Sequence, residues 1–269
     1  MHAPDQLAII AGNGVYPRVL ARAARAAGVR RILALAFEGE TEVELGQLVD
    51  EICWLRVGQL NRMLSTLRDA KITSAMMAGQ IAPRNLFDLH PDWRALLLLA
   101  KLKQRSAESI FRAIAGELEK IGVVLLPATT FLEDFLAGKD LIVGPKLSRR
   151  EKSDIDLGWD IAQKIAALDI GQTIIVKNGV VLAIEGFDGT NETMRRGGVL
   201  GRGGAVMIKV AKPNQDMRFD VPVIGRETIS VAAEAKVRVI ALEASRTLLL
   251  EKEDVILAAR NAKISLFGR

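Results

Sequence analysis

The first half of the chain repeats one pattern: a short aliphatic run, then a longer stretch whose apolar residues recur every three or four positions. The runs cover residues 7–11, 32–37, 52–57, 74–78 and 123–126, each of a length suited to a buried strand. The longer stretches predict helices over 18–27, 59–70, 93–103 and 107–120. Pro17 suits a first helical turn and Gly28 a helix end. Strands alternating with helices predict a parallel sheet with helices on both faces.

The second half reads differently. Residues 144–153 are polar and loop-like, and 154–168 are helical. Two β-branched runs, 174–176 and 180–184, flank Asn178-Gly179. Asn-Gly between such runs is a strong hairpin signal. A polar loop at 185–191 and a glycine-rich stretch at 197–204 precede a strand at 205–210. The chain is therefore α/β, with a Rossmann-like parallel-sheet domain over residues 1–135 and a mixed α/β domain, which carries the chemistry, over residues 140–269.

Composition narrows the function. Hydrophobic residues make up 49% and aromatics only 4%, so aliphatic side chains fill the core, as parallel sheets favour. The one cysteine, Cys53, excludes an internal disulfide and sits in an apolar run, where it reads as a buried structural thiol. The opening residues carry no basic, apolar leader, and no run approaches the ~20 apolar residues of a spanning helix. A cytoplasmic chain, at most peripheral to an inner membrane, is expected. Net charge is +5, which suits an anionic ligand or lipid surface, while no basic stripe interleaved with aromatics points to nucleic acid.

Several features could carry chemistry. Gly12-Asn13-Gly14 follows the first strand as in a dinucleotide-binding turn, but Pro17 stands where a third glycine belongs. Gly12 and Gly14 could instead let amides approach a phosphate, or simply make a tight turn. Glu38 ends the second strand, where a ribose-binding acid would sit. Only His2 and His90 are present, too few for a histidine metal cluster or an obvious triad, so any metal would be a hard cation such as Mg²⁺. Residues 209–222 form the densest polar cluster. There Lys212 and Arg218 could neutralise phosphate charge, and Asp216 and Asp220 could hold a metal or activate water, although a solvated loop would look alike. Arg195-Arg196-Gly197-Gly198 reads as an anion patch or a helix C-terminus. Residues 93–103 are apolar with basic flanks, either a core helix or one that meets a membrane or an acyl chain.

Taken together, these segments resemble the LpxI-type UDP-2,3-diacylglucosamine pyrophosphatases of lipid A biosynthesis over nearly the full length. The matching motifs are residues 7–14 with Pro17, Met77-Ala78-Gly79-Gln80-Ile81, residues 176–185, and above all residues 209–222 followed by Gly225. Two positions depart from the family pattern. Asp188-Gly189-Thr190-Asn191 stands where the family has Glu-Gly-Thr-Asp, and Gln80 where it has lysine.

The resemblance implies hydrolysis of a lipid-bearing UDP-sugar to UMP and lipid X, by water attacking the α-phosphorus with Mg²⁺ or a similar ion. It also implies a homodimer and a passing contact with a membrane. On this reading Asp220 is the leading catalytic carboxylate, with Lys212, Asp216 and Arg218 beside it. Asp188, Asp216 and Asp220 are candidate metal ligands. Gly12, Gly14, Gly79, Gln80, Asp188, Gly189 and Thr190 are candidate substrate contacts. The alternatives are a nucleotide-dependent oxidoreductase and a non-catalytic nucleotide- or lipid-binding protein.

Overall fold

The computed structural model describes residues 3–81, 91–102, 107–213 and 215–269. Both histidines, residues 82–84, Lys103 and Asn214 lie outside the described residues. The chain divides into two compact units. One comprises Met1–Leu132 with Met217–Asp220, the other Glu133–Asp216 with Val221–Arg269.

The first unit contains β1 (Gln6–Ala11), α1 (Tyr16–Ala26), β2 (Arg31–Phe37), β3 (Glu51–Leu55), α2 (Leu60–Asp69), β4 (Ser74–Ala78), α3 (Trp93–Lys101), α4 (Ala107–Lys120) and β5 (Val124–Leu125). Its strands pair in parallel in the order β3-β2-β1-β4-β5. That is the Rossmann order, with the direction of winding reversing between β1 and β4, where α/β sheets bind ligands. Five of the six β1 residues are buried, as a strand covered on both faces requires. Leu7, Ile9, Leu35 and Leu64 are fully buried. Pro17 lies in the first turn of α1, and Gly28, at φ +99°, ends it. Cys53 on β3 is half-buried, with its sulfur 3.7 Å from the Thr66 hydroxyl.

The second unit contains β6 (Asp140–Val143), α5 (Arg149–Ala167), β7 (Thr173–Lys177), β8 (Val180–Ile184), α6 (Gly189–Gly201), β9 (Ala205–Lys209), β10 (Val223–Ile224), α7 (Arg226–Glu234), β11 (Val237–Leu242), β12 (Leu248–Leu249), α8 (Lys252–Asn261) and β13 (Ser265–Gly268). Six strands form a mixed sheet in the order β6-β13-β11-β9-β7-β8, parallel from β9 through β13 and antiparallel at both flanks. β10 and β12 pair separately. The hairpin forms at Asn178-Gly179, both at positive φ, and the buried Asp154 carboxylate accepts from their two amides at 2.9 and 2.7 Å.

Two expectations are corrected. Residues 144–153 are not all loop, because α5 starts at Arg149 under a capping box of Ser148 and Glu151. Residues 189–201 are helix α6 rather than loop and glycine-rich coil, and Arg195-Arg196 lies within it, not at its C-terminus. Among the described residues no helix is long and apolar enough to cross a membrane.

Candidate functional site

In the first unit the loops after β1 and β4 meet at the switch point. The Gly12 amide donates to the Ala78 carbonyl at 2.8 Å, and Asn13 and Gln80 exchange backbone hydrogen bonds at 2.7 and 3.3 Å. A Cβ on Gly12 would meet the Gln80 carbonyl oxygen at 2.3 Å, and one on Gly79 (φ +87°) the Asn13 oxygen at 2.5 Å. Gly12 and Gly79 are therefore required by the loop pairing, and the Gly12 amide is committed to the sheet rather than offered to a phosphate. Gly14, at φ +86°, has open space around it and is the glycine of this turn that a ligand can approach. Glu38 is paired with Arg56 at 3.3 Å.

In the second unit the chemistry gathers where β9 and β8 end and β7 begins. Lys209, the last residue of β9, donates from Nζ to Thr190 Oγ1 at 2.8 Å, and Thr190 donates to Glu185 Oε1 at 2.7 Å. The Gln172 amide donates to the other Glu185 oxygen at 3.1 Å. Lys209 and Glu185 are 6% and 8% exposed. Burial pushes the Glu185 carboxyl up, but the Lys209 charge and hydrogen bonds from Thr190, Thr173 and Gln172 together hold it below the usual range, so it stays ionised. Glu185 was not among the expected site residues, and Lys209 was noted only as part of the polar cluster. The available signal was a charged residue at the end of each of two strands that ladder with β7.

Thr190 and Gly189, expected to touch substrate, form the first turn of α6. Asp188 is its N-cap but leaves that turn's amides alone. Its carboxylate accepts instead from the Gly186 amide at 2.9 Å and from Arg196 at 2.7 Å. The Gly186 amide, and then Arg196, hold the Asp188 carboxyl below its ordinary range. The glycines of α6 serve packing, because a Cβ on Gly197 would meet Ile175 at 2.6 Å and one on Gly198 the Ala235 carbonyl oxygen at 2.3 Å. Arg195 and Arg196 pair with Glu192 and Asp188, so the expected anion patch is an ion-paired helix face.

Lys212 and Asp216 belong to the second unit, while Arg218 and Asp220 belong to the first. Lys212 pairs with Asp169. The 217–220 segment is a turn, not an extended strand, so a two-residue spacing does not put Arg218 and Asp220 on one side. Arg218 pairs with Glu119 at 3.0 Å, the Met217 carbonyl accepts from the Ala128 amide at 2.7 Å, and the Phe219 ring lies 5.8 Å from that of Phe111. Asp220 is half-buried and shows no hydrogen bond or ion pair among the described residues.

The three expected metal ligands do not assemble into a cage. Among the described residues no group of three or more His, Cys, Asp or Glu is placed to hold a metal, and both Asp188 oxygens are already engaged. Among the described residues, then, no set fits a resident divalent ion.

Helix α3 is not a core helix, since Ala95 is its one buried residue while Trp93, Leu96 and Leu97 are more than half exposed. A groove runs along it, its apolar lining of Trp93, Leu97, Leu98 and Leu102 interrupted by the charged side chains of Arg94, Lys101, Glu117 and Lys120.

Fold and site thus define a two-unit α/β protein whose second unit buries a lysine and a glutamate against the first turn of a helix. The chain belongs to the LpxI family. Residues 6–135 match the model of the LpxI N-terminal domain and residues 139–267 that of the LpxI C-terminal domain. A curated relative from Caulobacter vibrioides, UDP-2,3-diacylglucosamine pyrophosphatase LpxI, is 30% identical over 274 residues, covering 98% of this chain and 97% of the relative. A solved biotin carboxylase domain of the Hydrogenobacter thermophilus 2-oxoglutarate carboxylase overlaps 65% of this chain and 35% of its own. At 15% identity and a TM-score of 0.28 it carries no argument.

Proposed function

We propose that this protein hydrolyses the pyrophosphate of UDP-2,3-diacylglucosamine to UMP and 2,3-diacylglucosamine 1-phosphate, as a step of lipid A biosynthesis. The observation that carries this reading is the end-to-end match to a relative bearing that activity in its name, through both family domains. Asp220 takes the role of base, drawing a proton from the water that attacks the α-phosphorus. It has no competing partner among the described residues. Lys212 and Arg218 supply positive charge to the phosphates by exchanging Asp169 and Glu119 for phosphate oxygens. Asp216 supports them. By family resemblance, Gly14 in the first unit and Gly189 and Thr190 in the second are candidate substrate contacts.

A divalent cation enters as part of the substrate. Mg²⁺ commonly binds through phosphates, one or two carboxylates and retained waters, not through an all-protein cage. The exposed apolar side of α3 suits the acyl chains. A homodimer at an inner-membrane surface completes the reading, by family resemblance. Asp220→Ala tests the assignment of the base. A folded variant that still binds UDP and loses ~10²-fold or more in UMP release supports it, and one that keeps above about a tenth of the turnover moves the role to Asp216.

A further inference from the structure

We propose that Lys209 and Glu185 are positioning residues of the substrate site, two buried opposite charges bridged by Thr190 that fix it and the first turn of α6 as the surface that receives the substrate pyrophosphate. This rests on the pyrophosphatase reading above.

The pair is costly as structure alone. Lys209 and Glu185 are both more than nine-tenths buried, and desolvating two charges offsets most of their attraction. Thr190 lies between them, accepting from Lys209 at 2.8 Å and donating to Glu185 at 2.7 Å. Its one proton is therefore committed to Glu185 and cannot also go to a phosphate. What the arrangement holds is backbone. Thr190 is the second residue of α6, and a side chain pinned from both sides fixes the amides around it. The Gly189 amide donates to the Gly186 carbonyl at 3.3 Å, the amides that follow in that turn have no partner within the helix, and the N-cap Asp188 directs its carboxylate elsewhere.

An independent observation at the same end of the sheet points to a ligand. Gln215, 8% exposed, sits in the turn that follows β9, and its Oε1 accepts from the Lys212 amide at 2.9 Å. That bond fixes the amide's orientation and leaves Nε2 a buried donor without a partner among the described residues. Oε1 of Gln172, whose own amide reaches Glu185, is a buried acceptor without a partner among the described residues. Buried polar atoms are rarely left unpaired, and ordered water or a bound polar group satisfies them.

The test titrates UDP as probe by calorimetry, with melting temperature and UMP release measured on the same preparations. The proteins are the wild type, Glu185→Gln, Lys209→Met, the double variant and Thr190→Val. Each single charge change should lower the melting temperature, because it strands the partner's charge. The double variant should regain melting temperature yet still bind UDP at least about tenfold more weakly than wild type, as expected when a supporting group lets a site drift. A double variant that recovers both stability and UDP affinity makes the pair purely structural and overturns the proposal. Thr190→Val, which cuts the bridge, should lower the melting temperature, because two buried charges each lose a hydrogen-bond partner, and should lose UDP affinity, and unchanged affinity also overturns the proposal. Wild-type protein that shows this UDP pattern but releases no UMP from the diacylated UDP-sugar rejects the pyrophosphatase reading and leaves the positioning role standing. Wild-type protein that does not bind UDP rejects the positioning role.

Discussion

A side-chain carbon on Gly12 would stand 2.3 Å from the carbonyl oxygen of Gln80. The two loops at the switch point of the first sheet touch backbone to backbone, through the Asn13–Gln80 bridge. Gly12→Ala must push them apart and is expected to lose about 1–3 kcal/mol of stability, the range of core overpacking. Gly14→Ala meets no atom within 4 Å and bears only the strain of a positive φ, about 1 kcal/mol. Urea unfolding of the two variants should rank Gly12→Ala as the weaker protein. Equal stability would mean the loops are not locked together.

Tyr16 is the only tyrosine, so the ultraviolet absorbance of phenolate reports on it alone. Its hydroxyl donates to the Ala128 carbonyl inside the first unit, and burial pushes its pKa far above the ordinary value. The fold favours the neutral phenol. That stabilisation is complete below the unfolded pKa of about 10 and fades as pH rises toward the folded value. Phenolate absorbance should appear near pH 10 in urea and stay low to about pH 11 in the native protein. Tyr16→Phe should lose about 1–3 kcal/mol at neutral pH, because the Ala128 oxygen is left unpaired. Native and unfolded titrations that coincide would contradict the buried hydroxyl.

The apolar side of α3 predicts a preference for acylated substrate. Each methylene that Trp93, Leu96 or Leu97 covers contributes roughly 0.8 kcal/mol. UDP-glucosamine without acyl chains should react with a kcat/KM lower by orders of magnitude. Leu97→Asp, at an exposed position, should keep its melting temperature and narrow that gap by weakening only the acylated substrate. Equal efficiency of the wild type on both substrates would show that the chains are not read.

Much of the fold was legible because local pattern and tertiary demand agree. Residues 74–78 form β4 as expected, and the aliphatic runs at 7–11 and 32–37 lie within β1 and β2. Asn178-Gly179 made its hairpin because both positions need positive φ. Helix α6 was illegible for the opposite reason. Glycine costs about 1 kcal/mol of intrinsic helix preference in a helix interior, and Gly197 and Gly198 are explained only by close packing on Ile175 of β7 and on Ala235 just past α7, contacts distant in sequence. The cap at Ser148 and Glu151 and the aliphatic run of β11 are legible in retrospect. Within the site, a motif marked residues 209–222, but Glu185 gains meaning only once β8 brings it beside Lys209. Arg218 and Asp220 parted from the expected same-side arrangement because Phe219 packs on Phe111 and bends the segment.

A cation that arrives with the substrate predicts a particular metal behaviour. Protein stripped by chelator should keep its melting temperature, since the described residues build no cage for an ion to stabilise. Turnover should fall in excess chelator and return with Mg²⁺, with a requirement that tracks substrate concentration. A rise in melting temperature of several degrees on adding Mg²⁺ without substrate would reveal a resident site instead. Full turnover with metal verified as absent would remove the cation from the account.

The most direct measurement of the central claim is isotopic. Wild-type protein is incubated with UDP-2,3-diacylglucosamine in water enriched in oxygen-18, and both products are weighed by mass spectrometry. Attack at the α-phosphorus predicts UMP carrying one labelled oxygen and an unlabelled 2,3-diacylglucosamine 1-phosphate. Label in the sugar phosphate, or no UMP at all, would contradict it.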